Sequence, residues 1–142
     1  MYPHSCELKT ADQIREYITG GKAIVALVND VPYHKQVTYK FTIYNKSTYL
    51  AWVWSNEQGW TWLATIQPNS LKLNHFSEDS KEVRGLAYLL RVVNTGKITP
   101  PMQVFHFGTC CVCGRRLTSR RAWETGIGRR CKSIRYADVV QR

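Results

Sequence analysis

Three cysteines near the end of the chain constrain its fold more than any other feature. Cys110 and Cys113 form a C-x₂-C pair followed by Gly114, and 17 residues separate Cys113 from Cys131. A C-x₂-C turn directs two thiolates at one point, and a glycine after it relieves crowding where backbone N–H groups approach sulfur. The spacing is typical of a structural zinc site, so we expect Zn²⁺ as the cofactor.

A closed structural zinc site needs a fourth ligand. His106 lies shortly before Cys110, with three residues between them, and can reach back toward the metal. The predicted metal ligands are His106, Cys110, Cys113 and Cys131. Alternatives for the fourth place are His75, Cys111 or water. A metal-free or redox-active cysteine pair is a second interpretation, although a redox C-x-x-C expects a βαβ setting that this sequence does not show.

Positive charge is concentrated around these cysteines. The 142 residues carry a net charge of +10, of which residues 1–107 contribute +3 and residues 108–142 contribute +7. Arginine pairs well with phosphate, so we predict a nucleic-acid-binding surface. Its predicted members are Arg115, Arg116, Arg120, Arg121, Arg129, Arg130, Lys132 and Arg135. No base-reading helix is evident, so we expect little sequence specificity. The alternative is a solvated basic face that only aids solubility.

The chain before the cysteines predicts an α+β fold, with an antiparallel sheet of about four strands and two helices on one face. Residues 10–13 form a capping box, so a helix begins there and ends near Gly20. A second helix follows Ser80 and ends near Asn94, before Pro100. Strands are predicted over 22–29, 37–43, 49–55 and 60–66, and a short extra strand is considered over 71–74. A short helix from Thr118 or Ser119 to Thr125 is predicted in residues 105–142, which carry the clustered cysteines and are called the cysteine segment below.

Four tryptophans belong to the predicted hairpin of strands 49–55 and 60–66. With a four-residue loop, Ser55 faces Trp60, which places Trp60 and Trp62 on one side and Trp52 and Trp54 on the other. If only one face of the sheet is covered, two tryptophans stay outside and can stack on unpaired bases or contact a protein partner. The alternative is that both faces are covered.

Several classes of protein are disfavoured. Apolar runs such as 23–28 and 49–54 are far shorter than the roughly 18 residues of a membrane span, and no secretory signal is visible. We therefore expect a cytoplasmic protein with reduced thiols and no membrane partner. The H-x-E and P-C-x-x-C motifs of zinc deaminases are absent, and a closed four-ligand site leaves no place for substrate. We predict no enzymatic activity.

The cysteine segment also resembles a known family. The run Gly108-Thr109-Cys110-Cys111-Val112-Cys113-Gly114-Arg115-Arg116-Leu117-Thr118, with Gly126-Ile127-Gly128-Arg129-Arg130-Cys131, is similar to a small zinc-binding domain of unknown function found in many bacteriophage proteins. Those proteins often carry a histidine where His106 stands, and a strand like 39–43 before an aromatic hairpin like 60–66. Here Arg129-Arg130 replaces the proline and acidic or small residue that the family often has, and Cys111 is extra. The resemblance implies phage origin, and therefore a host-cell cytoplasm, more than a mechanism.

Together these features predict residues 1–104 as an α+β body with an aromatic hairpin and residues 105–142 as a basic zinc-binding module. The predicted function is nucleic-acid binding with little sequence specificity through that module. The alternative is an inhibitor or adaptor that binds an acidic host protein through its basic and tryptophan-rich surfaces. The sequence does not decide whether the target is single-stranded or duplex, or DNA or RNA. It also does not decide the oligomeric state.

Overall fold

The computed structural model describes residues 6–29, 35–99 and 102–132. The elements follow in the order α1 (Ala11–Ile18), β1 (Lys22–Asn29), β2 (Lys35–Asn45), β3 (Thr48–Ser55), β4 (Gly59–Gln67), β5 (Ser70–Leu73), α2 (Lys81–Thr95), β6 (Met102–His106) and α3 (Arg120–Thr125). A further helical turn covers residues 129–132. No helix in these ranges is long and apolar enough to cross a membrane.

The six strands form one antiparallel sheet in the order β5-β4-β3-β2-β1-β6. The α+β class and the antiparallel sheet are confirmed, but the predicted number of about four strands is too low. Strand β5 is the short candidate near 71–74, and β6 was not predicted. Five residues are too few to show an alternating pattern, and β6 is held in place by pairing with β1, which is distant in sequence.

Local signals set the helix ends as expected. Thr10 and Gln13 make a complete capping box at the start of α1. The Ser80 hydroxyl accepts a hydrogen bond from the Val83 N–H at the start of α2, and Gly96 ends that helix in the left-handed conformation. These contacts involve neighbours within four residues, which is why the sequence predicts them well.

Helices α1 and α2 contact each other and pack against β1 and β2 on one face of the sheet. Fully buried side chains such as Tyr39, Phe41 and Leu86 form the core there. Burial of one such side chain contributes roughly 1.5–3 kcal/mol. The same core includes residues of the cysteine segment, among them Leu117 and Ile127. Strand β6 continues across the predicted boundary between residues 104 and 105. The division of the chain into a body and a module stays a prediction.

The tryptophan hairpin differs from its predicted register by one residue. Ser55 pairs with Gly59 rather than Trp60, so Trp54 faces Trp60 and Trp52 faces Trp62. The loop is one residue shorter than predicted because Gly59 adopts a φ of +70°, as in a three-residue hairpin loop. An irregularity in β4 then adds one residue, Leu63, which is fully buried. All four tryptophans therefore share the face opposite α1 and α2, which we call the outer face.

A glycine inside α2 allows the helix to approach the sheet. The Tyr39 hydroxyl donates a hydrogen bond to the Glu82 carbonyl at 2.6 Å, and a Cβ at Gly85 would overlap that hydroxyl. Leu27 also lies 3.2 Å from that Cβ position. Inside a helix, glycine costs about 1 kcal/mol of stability relative to alanine. Its presence here is explained by packing, because a Cβ at this position would overlap the Tyr39 hydroxyl.

We expect Gly85→Ala to destabilise the protein by about 1–3 kcal/mol, because the added methyl group collides with the Tyr39 hydroxyl despite the better helix propensity of alanine. In a Tyr39→Phe background, which lacks the hydroxyl, the same substitution should cost clearly less. Urea denaturation of the four proteins measures this coupling. A single Gly85→Ala variant more stable than wild type would contradict the packing argument.

Candidate metal centre and its basic surroundings

The structure brings three of the four predicted ligands together. The sulfur atoms of Cys110, Cys113 and Cys131 all lie within 4.8 Å of one another. Cys110 and Cys113 belong to the turn after β6, and Cys131 belongs to the helical turn 129–132. Zinc–sulfur bonds of about 2.3 Å place the sulfurs of a tetrahedral site about 3.8 Å apart, so a small inward shift suffices. The three cysteines could hold a metal ion, and a set of three thiols is consistent with zinc.

Backbone N–H groups surround the innermost sulfur. The N–H groups of Val112 and Gly128 donate to Cys110 Sγ at 3.4 and 3.3 Å. Gly114, with a φ of +78°, closes the turn by donating its N–H to the Cys110 carbonyl at 2.9 Å. The C-x₂-C-G and G-I-G motifs thus meet at one sulfur, although Gly128 lies 18 positions after Cys110.

The electrostatics of the three thiols favour a cation. Burial raises the pKa of the Cys110 thiol, but donors from Gly128, Cys113 and Val112 outweigh it, so the net pKa is lowered. Burial, followed by the neighbouring sulfurs of Cys113 and Cys110, raises the pKa of Cys131 to about 11. Three thiolates this close repel one another, and a bound divalent ion would remove that obstacle.

His106 does not join this group, and the predicted ligand set is corrected accordingly. Its ring is fully buried, and both ring nitrogens are hydrogen-bonded to the backbone. The Gly108 N–H donates to Nδ1 at 2.9 Å, so Nε2 carries the proton and donates to the Trp123 carbonyl at 2.5 Å. Burial lowers the pKa of His106, and the contact with the Trp123 carbonyl opposes this in part. His106 therefore has a structural role in this geometry.

The alternatives for the fourth ligand do not join the group either. Cys111 is buried and points at α1, where its Sγ donates to the Glu16 carbonyl at 3.9 Å. A Cβ at Gly20 would lie 2.5 Å from the same sulfur, so only glycine fits opposite it. His75 is exposed in the loop before α2. Among the described residues, no other His, Cys, Asp or Glu joins the three thiols.

Buried aromatic rings fix this segment to the body. The Tyr17 ring of α1 stacks on His106 with ring centroids 5.4 Å apart, and its hydroxyl donates to the Thr109 carbonyl at 3.1 Å. Gly126, with a φ of +77°, lies against Tyr17, where a Cβ would overlap the ring. Trp123 covers Gly108, where a Cβ would lie 2.7 Å from its ring. Two motif glycines are thus required by both conformation and packing.

Most of the predicted nucleic-acid contacts surround the metal centre. Four arginines, Arg115, Arg116, Arg129 and Arg130, line a cleft of about 610 Å³ together with the three cysteines. A second cleft of about 670 Å³ is lined by Arg121, Arg129 and Lys132. Arg120 is exposed and lies 3.7 Å from Glu124. Arg135 lies outside the described residues. Among the described residues that line the two clefts, none is acidic.

Two lysines outside the cysteine segment were missed by the sequence analysis. Lys22 donates to the Cys113 carbonyl at 3.5 Å, and Lys40 lies between the rings of Trp52 and Trp60. The alternation of β2 gave a signal for Lys40, because it shares one side of that strand with other polar residues. Lys22 gave none, because its partner is 91 residues away.

The comparisons with known proteins agree with the location of the centre. A model for a family of unknown function (DUF6011) matches residues 101–136. That segment contains β6, all three clustered cysteines and α3. Searches of the curated proteins and of the solved structures found no significant match. The match covers about a quarter of the chain and assigns no activity.

We expect Cys113→Ser to abolish stoichiometric metal binding and to unfold the cysteine segment, because a structural zinc ion supplies on the order of 10 kcal/mol of folding energy. Cys111→Ala is the matched control, since its thiol points away from the centre, and it should keep the metal. Elemental analysis and near-UV circular dichroism of the purified proteins measure both effects. A wild-type protein without bound metal would end this interpretation.

We expect His106→Gln to retain the metal while changing the pH dependence of stability. The pKa of His106 is lowered on folding, so above about pH 6.5 the residue is neutral in both states and contributes no pH dependence. Below that pH the unfolded chain binds a proton that the folded chain resists, and wild-type stability falls. Denaturation from pH 8 to 5 should show a steeper acid loss for wild type than for the variant. Parallel curves, or metal loss in the variant, would contradict the structural role.

Proposed function

We propose that this protein binds nucleic acid with little sequence specificity through the arginine-lined cleft at its metal centre. The observation that carries the proposal is that four arginines and three clustered cysteines line one cleft without a carboxylate among its lining residues. Guanidinium groups held around a rigid centre match phosphate oxygens in geometry and charge. Among the described residues of the cysteine segment, no helix presents a base-reading surface, since α3 has only six residues.

We propose Zn²⁺ as the ion and a structural role for it. Thiolate ligands suit zinc, and the donors to Cys110 already favour its ionised form. The fourth ligand would come from water or from a residue outside the described ranges. Clustered thiols need reducing conditions to stay available to a metal ion, so we propose the cytoplasm as the compartment, of a host cell if the chain is phage-encoded.

We also propose binding rather than catalysis as the activity. The described lining of the cleft beside the cysteines offers no carboxylate or histidine that could act as a general base near a bound phosphate. A two-metal hydrolytic centre would need several carboxylates there. The residues that surround the cysteines supply positive charge and hydrogen-bond donors, which serve binding.

A second candidate is an inhibitor or adaptor for an acidic host protein. Trp54 and Trp62 are 46% and 39% exposed, and exposed aromatic side chains near positive charge are frequent at protein interfaces. Affinity purification from host lysate treated with nuclease tests this candidate. A stoichiometric acidic partner retained after the treatment would favour it over nucleic acid.

We expect Arg129→Ala with Arg130→Ala to weaken binding to duplex and single-stranded nucleic acid alike, with the metal retained. Each phosphate contact contributes about 0.9 to the slope of log affinity against log salt on a duplex, so the slope should shrink by up to about 1.8. Fluorescence anisotropy at several salt concentrations measures this.

The matched control is Arg84→Ala with Arg91→Ala. Both of these arginines are exposed on α2, and the double substitution removes the same charge from a distant helix. This control should bind as wild type does. Equal weakening by both double variants would show that net charge, and not the cleft, determines affinity. No binding by the wild type at low salt would refute the proposed function.

A further inference from the structure

The outer face of the sheet carries all four hairpin tryptophans. Residues that point inward on β2 and β3, such as Tyr39, Phe41 and Ala51, are fully buried under the helices. The alternate positions point outward, and the register places Trp52 opposite Trp62 and Trp54 opposite Trp60. Two of the four rings remain exposed, with Trp54 at 46% and Trp62 at 39%. Two cross-strand pairs thus form one continuous aromatic surface.

Hydrogen bonds hold these rings in place. Three of the four indole N–H groups donate to neighbours on the same hairpin or the next strand: Trp52 to Thr42 Oγ1 at 3.1 Å, Trp54 to Asn56 Oδ1 at 3.3 Å and Trp62 to the Ala64 carbonyl at 3.2 Å. The rings of Trp54 and Trp60 also pack edge to face, 5.3 Å apart. Rings with satisfied N–H groups and fixed orientation present their flat faces to a ligand without a large ordering cost.

The outer face is also positively charged. Lys40 Nζ lies 5.1 Å from the centre of the Trp52 ring and 4.8 Å from that of Trp60. Lys22, Lys40 and Lys72 occupy outward strand positions, and the six described strands contain no acidic residue. A cation among stacked rings matches a ligand that combines flat aromatic groups with negative charge.

The outer face is continuous with the metal centre. A row of paired outward positions crosses the sheet from Lys22 through Thr42 and Leu50 to Thr65 and Lys72. At one end of this row Lys22 reaches the Cys113 carbonyl, and Gly114 lies against its side chain. Thr42, the next member, holds the Trp52 indole. An elongated ligand that lies along the tryptophans would therefore extend toward the arginine-lined cleft.

We infer that the outer face is a stacking surface for unpaired bases, and that the target of this protein is a single strand of nucleic acid. This rests on the proposed function and narrows it. Bases of a single strand are free to stack on Trp54 and Trp62, with phosphates near Lys40, whereas the bases of a duplex are already stacked on one another. An acidic peptide would satisfy the lysines but would leave the flat ring faces without matching partners.

The test compares two double variants of the exposed tryptophans. Trp54→Leu with Trp62→Leu keeps apolar area but removes the aromatic faces, and Trp54→Phe with Trp62→Phe keeps them. The probes are oligothymidylate and oligouridylate of about 12 nucleotides and a DNA hairpin duplex. Wild type should bind the single strands more tightly than the duplex, and binding should quench its tryptophan fluorescence. The leucine variant should lose at least about fivefold in single-strand affinity, since one stacked base is worth about 1–3 kcal/mol.

Several outcomes separate this inference from the proposed function. The phenylalanine variant should retain most single-strand affinity, and the leucine variant should bind the duplex as wild type does. Leu71→Ala is the control, because Leu71 is also 39% exposed but does not belong to the outer face, and its affinities should not change. Duplex preference by wild type, or undiminished single-strand binding by the leucine variant, overturns the inference. The cleft arginine variant tests the proposed function independently.

A last measurement guards against a folding artefact. Thermal unfolding of the leucine variant should match that of the phenylalanine variant, since half-exposed side chains contribute little to the core. Unequal quenching by oligothymidylate and oligouridylate at matched length would distinguish DNA from RNA as the source of the single strand. Loss of single-strand affinity in the phenylalanine variant despite normal unfolding would count against stacking.

Discussion

The position of the cysteine segment depends on the buried ring of Tyr17. That ring extends from α1, stacks on His106 at the end of β6, lies against Gly126 and donates to the Thr109 carbonyl. It therefore touches the segment on both sides of the cysteine turn. Without the ring, the segments that lead into the Cys110–Cys113 turn and toward Cys131 would lose a surface against which they pack. The lowered solvation of this region raises the pKa of Tyr17 well above its usual range, consistent with a permanently neutral hydroxyl.

The metal centre and the sheet thus form one packed unit with two positively charged surfaces. One is the arginine-lined cleft beside the cysteines, and the other is the tryptophan-bearing outer face. Lys22 connects them, because its backbone N–H donates to the Cys111 carbonyl and its side chain reaches Cys113. A ligand that combines regularly spaced negative charges with flat rings would match both surfaces together. In the part of the chain that the structure describes, neither surface has an acidic residue among its lining or strand positions.

Features that depend on near neighbours were predicted well from the sequence. The capping box of α1, the caps of α2 and α3 and the C-x₂-C-G turn each involve residues within a few positions of one another. Features that depend on distant pairing were predicted poorly. Strand β6 exists because β1 offers it a free edge, and the hairpin register shifted by one residue because Gly59 adopts a left-handed conformation. A one-residue shift moves every side chain of a strand to the other face, so the small error assigned Trp60 and Trp62 to the wrong face.

By itself, the sequence determined that three cysteines would converge, that basic residues would surround them and that an α+β sheet would precede them. Spacing, charge and periodicity are local properties of the chain, and they carry over into any compact fold. Only the tertiary structure decided that His106 would be a buried packing residue, since the Trp123 carbonyl that its Nε2 contacts becomes available when α3 folds back on β6, whereas the Gly108 N–H lies only two residues away. The tertiary structure also decided that all four tryptophans share one face, because strand register is set by turn geometry and by the demand to bury Leu63.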